Sequence, residues 1–353
     1  MTKYKWYLIL MVGVALTAAL SGGLTVSAAS RGVADDRVEQ VLKDKKVNGI
    51  VLVDGTAKNP HVISNQVASN PHQVVKPTRL IPIASFQKLL TGIAVEQLVL
   101  AGKLSLTTPL SKYLPQIGGA RQVTVDRLMM HTSGLVNETR PLKHPLTSEK
   151  AQLKYALEGC RSTGNFNWHY TDLDYIILAE VIHQASGQSY RHYLATKVLQ
   201  PAGVRMKFFS QVKKGQVTLA VGKQRTWQKL QLAMSTELGA GDILSTPVGY
   251  WRFYHRALLN NPQLLKQFLA KKDPTGTETY FGGTYLEAPY LHANGYLAGY
   301  SCSLYSNYEN KRTMMFFANN ISYKQLRSLN SQLYHAYFGD YREEQATINT
   351  NWF

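Results

Sequence analysis

The chain has 353 residues, 39 of them Lys or Arg and 22 Asp or Glu, for a formal net charge of +17 at pH 7. Hydrophobic residues make up 44% and charged residues 17%, which excludes a disordered polyelectrolyte and a multispan membrane protein. Two cysteines exclude a disulfide framework or a four-cysteine zinc site, and the basic surplus implies an anionic partner: nucleic acid, a membrane surface or an acidic polymer.

Residues 1–28 read as a signal peptide or a membrane anchor. Lys3 and Lys5 precede a mostly apolar run from Trp6 to about Val26, which ends in the small-residue pattern Val26-Ser27-Ala28-Ala29. Export removes intracellular nucleic acid as a partner. It places the chain at the extracellular side of the cell envelope, secreted or membrane-anchored, against a polyanionic wall. Residues 35–46 predict a short helix with Val38, Val41 and Leu42 on one face, followed by a buried strand at Gly49–Val53 and a turn at Asp54-Gly55. Residues 56–76 are polar and read as loop or weak edge strand. Leu80–Ile83 then leads into Ala84-Ser85, and apolar residues at 86, 89, 90, 93 and 94 predict an amphipathic helix.

Another helix begins near Leu173 and stops at Gly187, and a further one runs from Val248 to about Asn260. Beyond 279 the pattern changes to strands: Tyr300–Tyr305 and Thr313–Ala318 flank a polar turn, and a final helix covers Tyr323–Phe338. The order predicts an α+β fold. Residues 34–83 and 245–353 would form an α/β sandwich domain, interrupted by an all-α domain at 84–244.

Ser85-Phe86-Gln87-Lys88 sits at a strand-to-helix junction, where residues three apart share a helix face. A serine hydroxyl needs a nearby base to become a nucleophile, and a desolvated lysine can supply one. Taken alone, the pattern favours an N-capping Ser with a solvated Lys. The wider context is IASFQKLLTGIAVEQLVLAGKLSLTTPLSKYLP from Ile83 and VTVDRLMMHTSGL, with His131-Thr132-Ser133-Gly134-Leu135. Together these resemble the serine β-lactamase and penicillin-binding-protein superfamily, in its class C β-lactamase and DD-carboxypeptidase branch, from about Val38 to Phe338.

The resemblance implies a β-lactamase-like fold, an antiparallel sheet flanked by helices with a helical insert, and three site motifs. Ser85 and Lys88 form the first. Tyr170-Thr171-Asp172, within NFNWHYTDLDYIILAEVIHQASGQSY, falls on the family's Tyr-x-Asn; Tyr170 would exchange protons with the serine if neighbouring Lys⁺ lowers its pKa. Asp172 departs from the common Asn, and an ionised Asp only accepts hydrogen bonds. It would pair with Lys88 or attract a substrate ammonium, a feature that resembles teichoic-acid D-alanyl esterases. The third motif, normally Lys/His-Thr-Gly, registers as Ala293-Asn294-Gly295 in LHANGYLAGYSCSLYS. Either a bulge brings His292 into the site or the motif has lost its base. The N–H groups of Tyr296 and Ser85 would form an oxyanion hole, with Gly295 allowing close approach.

His131 reads as scaffold, His169 as a rim residue, and the Gly239–Asp242 turn as backbone shaping. Neither a P-loop nor a metal-binding pattern is present, so no metal or cofactor is expected. Cys160 and Cys302 flank the implied cleft and are candidates for a bridge. The resemblance implies acyl transfer on D-alanyl bonds of the cell wall. The basic charge and Asp172 favour the ester of teichoic acid, with salt-sensitive activity on that polymer. The stem-peptide amide of peptidoglycan, a β-lactam, or a non-catalytic wall-binding role remain alternatives.

Overall fold

The computed structural model describes residues 28–339, apart from 55–56, 139, 223–224 and 276. The expected signal or anchor at 1–27 lies outside the described residues. Among the described residues no helix is long and apolar enough to cross a membrane.

Helix α1 (Ala28–Asp44) is followed by strand β1 (Gly49–Val53), edge strand β2 (His61–Asn65) and the two-residue β3 (Ile81–Pro82). Helix α2 (Gln87–Leu100) comes next, then β4 (Leu135–Val136), β5 (Arg161–Ser162) and helix α3 (Asp172–Ser186), which ends at Gly187 with φ 70°. Beyond it lie β6 (Lys207–Phe208), helix α4 (Trp227–Met234) and β7 (Ile243–Ser245). The C-terminal part contains β8 (Thr279–Phe281), β9 (Thr284–Glu287), β10 (Tyr290–Leu297), β11 (Tyr300–Asn307), β12 (Thr313–Ala318) and helix α5 (Tyr323–Phe338).

Seven strands form one antiparallel sheet in the order β2-β1-β12-β11-β10-β9-β8. In β1 and β12 successive side chains serve opposite layers, as the two-residue strand period requires. Val51, Val53, Met314 and Phe316 pack with Val38 and Leu42 of α1 and with Leu326, Leu329 and Leu333 of α5. Ile50, Leu52, Met315 and Phe317 face the helical half of the molecule, where Phe86 and Leu89 meet them. Phe86 is wholly buried, with its ring 4.5 Å from Tyr250 and 6.0 Å from Phe317. Burial of such a ring contributes about 1.5–3 kcal/mol, and it fixes the start of α2 against the sheet.

Residues 84–244, expected to be all-α, contain short strand pairs as well as helices. Leu135–Val136 pairs with Arg161–Ser162, and Lys207–Phe208 pairs with Ile243–Leu244. Two-residue pairings are too short to leave a periodic signal in sequence. The helix expected over 248–260 is regular only over Pro247–Tyr254 and continues as a wider π-type turn over His255–Leu259.

Candidate active site

The chain enters the site through a single 3₁₀ turn, Ala84–Phe86, between β3 and α2. Ala84 has φ 46°, a conformation that a residue with a Cβ adopts only where surrounding structure imposes it. Ser85 is thereby placed one turn before Lys88. Lys88 Nζ donates to Ser85 Oγ at 3.1 Å, to Asp172 Oδ1 at 2.5 Å and to the Ala240 carbonyl at 3.3 Å. The Tyr170 hydroxyl donates to Ser85 Oγ at 2.8 Å. Ser85, Lys88, Tyr170 and Asp172 are thus brought into one hydrogen-bonded group, although Tyr170 lies 85 residues from Ser85 in sequence.

Charge in this group is set by opposing effects. Burial works against the Lys88 ammonium, but Asp172 and Tyr170 outweigh it and hold Lys88 above its usual pKa. Lys88 is therefore an ammonium at rest and a proton donor. For Tyr170 the expected sign is reversed: burial raises the phenol pKa more than Lys88 lowers it. Tyr170 is accordingly a phenol that donates to Ser85.

Asp172 opens α3, whose first turn is capped by Thr171 Oγ1 accepting from Leu173 N–H at 3.3 Å. The Tyr170 loop is held from below by His131, a buried residue with φ 56°. Its carbonyl accepts from His169 N–H at 2.8 Å, and its ring lies 4.4 Å from that of Tyr170. Burial keeps His131 well below the usual histidine pKa and keeps its partner Asp174 well above the usual carboxyl value. The two meet at 3.1 Å, and the Ser133 hydroxyl donates to the same carboxyl at 2.6 Å. The Gly239–Asp242 turn shapes backbone: the Ala240 carbonyl meets Lys88, and Asp242 accepts from Gln87 at 2.7 Å and from Arg191 at 3.2 Å.

On the sheet side, β10 pairs with β11 in an unbroken ladder from Tyr290 to Leu297, so no bulge exists to turn His292. His292 faces the other layer. Its Nε2 meets Glu278 at 2.6 Å, and its ring lies between Tyr285 at 4.8 Å and Tyr305 at 5.8 Å. Asn294 shares that face and accepts from Asn330 of α5 at 2.9 Å. These two expected substrate contacts are corrected: the strand alternation carries both side chains away from Ser85. Glu278, Glu287 and His292 offer ligand atoms within 4.8 Å of one another, on this same outer region of the sheet.

Gly295 instead faces the Ser85 turn. A Cβ there would lie 2.6 Å from Cys302 Sγ, 2.8 Å from the Ile83 carbonyl and 3.3 Å from the Ala84 Cβ. Gly295→Ala is expected to push β10 off the turn, lowering stability by about 1–3 kcal/mol and turnover at least tenfold, as thermal denaturation and ester hydrolysis will show. The edge of β10 away from β11 pairs with β9 only at Tyr290–His292. Residues 293–297 therefore present a free strand edge. Tyr296 follows at the rim, 38% exposed. Cys160 and Cys302 are free thiols, so no bridge joins them. Cys302 Sγ donates to the Ile83 carbonyl at 3.1 Å, under the Ser85 turn.

A cavity of about 420 Å³ opens beside Tyr170, Thr171 and Asp172. Its far wall includes Glu237, which the sequence reading missed, and Arg140, whose guanidinium is paired with Glu158. Glu237 precedes the Gly239–Asp242 turn by two residues, the only signal that could have pointed to it. Burial and the neighbouring Asp172 raise its pKa well above the usual carboxyl value, with Lys88 opposing. The folded state thus holds this proton more tightly than the unfolded chain. The resulting stability is complete below the ordinary carboxyl range and is lost as pH rises through the folded value. Glu237→Gln cannot ionise, so it is expected to melt at a higher temperature than the parent at about pH 8, with the difference shrinking toward about pH 5.

The β-lactamase family profile matches residues 34–330. PbpX of Bacillus subtilis (strain 168), named as a penicillin-binding protein, is 24% identical over 85% of this chain and 78% of its own. A teichoic acid D-alanine hydrolase of Staphylococcus aureus (strain MRSA252) is 27% identical over 65% of this chain, and the match spans only 60% of that relative's length. Among solved structures, FmtA from Staphylococcus aureus superimposes with a TM-score of 0.69 at 20% identity, covering 86% of this chain and 85% of that one. D-amino acid amidase from Ochrobactrum anthropi SV3 gives 0.72 at 17% identity, covering 86% and 98%. These last two likenesses establish the fold. Matched across nearly all of its described residues, the chain belongs to the β-lactamase family and is a serine hydrolase.

Proposed function

We propose that the chain is an exported serine hydrolase that removes D-alanyl groups esterified to a wall polymer, with teichoic acid as its substrate. One observation carries this reading: the Asp172 carboxylate lies 2.5 Å from Lys88 Nζ, which itself lies 3.1 Å from Ser85 Oγ. While Asp172 holds Lys88 as an ammonium, the lysine cannot accept the Ser85 proton. A D-alanyl ester carries a free ammonium of its own. Entering beside Asp172, that ammonium competes for the carboxylate and repels the charge on Lys88. Burial then outweighs the remaining contact with Tyr170, and Lys88 gives up a proton to solvent to become the neutral amine.

The neutral amine accepts the Ser85 proton as Oγ attacks the ester carbonyl. The N–H groups of Ser85 and Tyr296 would hold the oxyanion. As the C–O bond breaks, Tyr170 gives its proton to the departing polymer hydroxyl and recovers one from Lys88. In the second half a water loses a proton to the same network, attacks the acyl carbonyl, and releases D-alanine and Ser85. A stem peptide that ends in D-alanyl-D-alanine has no free ammonium at the scissile carbonyl and lacks this trigger.

The name of the staphylococcal relatives supports this substrate, and the basic net charge suits a polyphosphate chain. The alternative of DD-carboxypeptidase or β-lactamase activity is favoured by the match to PbpX, which covers more of both chains. The test is D-alanine release from D-alanylated lipoteichoic acid, compared with an acyl-D-alanyl-D-alanine peptide and a penicillin. Faster release from the polymer supports the ester reading, and turnover confined to the peptide or penicillin replaces it.

A further inference from the structure

A second cavity, of about 330 Å³, lies at the turn end of the β10–β11 hairpin. Its walls include Arg225, Thr226, Trp227, Lys229, Tyr296 and Tyr300, and among the described residues no carboxylate lines it. Arg225 Nη1 donates to the Gly299 and Asn319 carbonyls at 3.4 and 3.3 Å. These contacts pin the guanidinium over the hairpin turn, yet a guanidinium has five donors, so others remain for a guest. Lys229 is exposed on the same wall.

Helix α4 joins this cavity to the one beside Asp172. Trp227 and Lys229, in its first turn, line the cationic cavity, while Leu232 in its last turn and Thr236 and Glu237 just beyond line the other. Leu230 also lines the cationic cavity, two residues before Leu232 of the other, so α4 packs against both. Tyr296 lines the cationic cavity and directly follows Gly295, whose strand abuts the Ser85 turn. The two cavities lined from the α4 segment therefore differ in charge, with Asp172 and Glu237 in one and Arg225 and Lys229 in the other.

We propose that the cationic cavity is a phosphate subsite, which holds a phosphodiester of the polyol-phosphate chain while the D-alanyl ammonium occupies the Asp172 end. This rests on the ester reading above. A D-alanylated polyol phosphate carries an ammonium and phosphates along one chain, matching the opposite charges of the two cavities. Guanidinium and ammonium groups together suit a phosphate, and the Trp227 and Tyr296 faces pack against the apolar polyol carbons. A stem peptide could offer only its terminal carboxylate, and is the rival occupant.

The test measures binding, so it does not depend on turnover. The purified full chain is titrated with a D-alanine-free glycerol-phosphate oligomer, alongside Lys229→Glu and a charge-matched control, Lys103→Glu. Lys103 is exposed and lies just beyond the far end of α2. Lys229→Glu is expected to weaken binding at least tenfold with an unchanged melting temperature, and Lys103→Glu less than twofold. Equal weakening by both would assign binding to net charge and overturn the proposal, as would no weakening by either. Displacement of the oligomer by an acyl-D-alanyl-D-alanine peptide, dependent on Lys229, would assign the cavity to a carboxylate and overturn it too. D-alanine release is scored separately: Lys229-dependent binding without release overturns the ester reading and leaves the subsite standing.

Discussion

Ser85→Ala is expected to reduce D-alanine release from D-alanylated polymer by at least about 10³-fold, to the level of the uncatalysed reaction plus whatever the remaining site supplies. The substitution removes only the Oγ that receives hydrogen bonds from Lys88 and Tyr170. Lys88 keeps Asp172 and the Ala240 carbonyl as acceptors, and Tyr170 lines the open cavity, where water can take the place of Oγ. Folding and polymer binding should therefore persist, which separates a catalytic loss from a structural one. Lys88→Met is expected to be comparably inactive, and the Ser85→Ala/Lys88→Met double variant no worse than either. Groups that act as one unit are not additive. Initial rates of D-alanine release by the three variants check this, and additive losses would show that Lys88 acts independently of Ser85.

Asp172→Asn should divide substrates by charge. Asp172 opposes the burial that would otherwise lower the Lys88 pKa. Without it the lysine loses its proton at lower pH, and the base is available without any trigger. The acid limb of kcat/KM for an N-acetyl-D-alanyl ester, which has no ammonium, is expected to move to lower pH, with equal or faster turnover at neutral pH. For the free D-alanyl ester the variant has lost the carboxylate that receives the ammonium, and kcat/KM should fall about 10²-fold. Opposite movements for the two esters are the signature sought in their pH–rate profiles. A parallel fall on both would reduce Asp172 to a structural support for Lys88.

How much of this was legible in sequence depends on how local each relation is. Ser85 and Lys88 lie three apart at a helix start, so their contact follows from helix geometry alone. β1 and the final helix, Tyr323–Phe338, were likewise readable, because each has a strong local pattern. Tyr170 and Asp172 reach Ser85 across 85 residues of chain or more, and only the family resemblance pointed to them. The sign of the Tyr170 shift was not readable at all, since it turns on burial against a neighbouring charge. His292 was undecidable from a strand whose register sequence does not give, and the continuous ladder settles which layer it faces. Glu237 was overlooked because its meeting with Asp172 is made by the turn after α4, not by any periodic signal.

The most direct measurement is mass spectrometry of the protein quenched during turnover of D-alanylated lipoteichoic acid. The expected result is a D-alanyl ester on the peptide that contains Ser85, absent from Ser85→Ala and formed faster than free D-alanine appears. Release of D-alanine with Ser85 unmodified, or an adduct found only with a penicillin, would contradict the account.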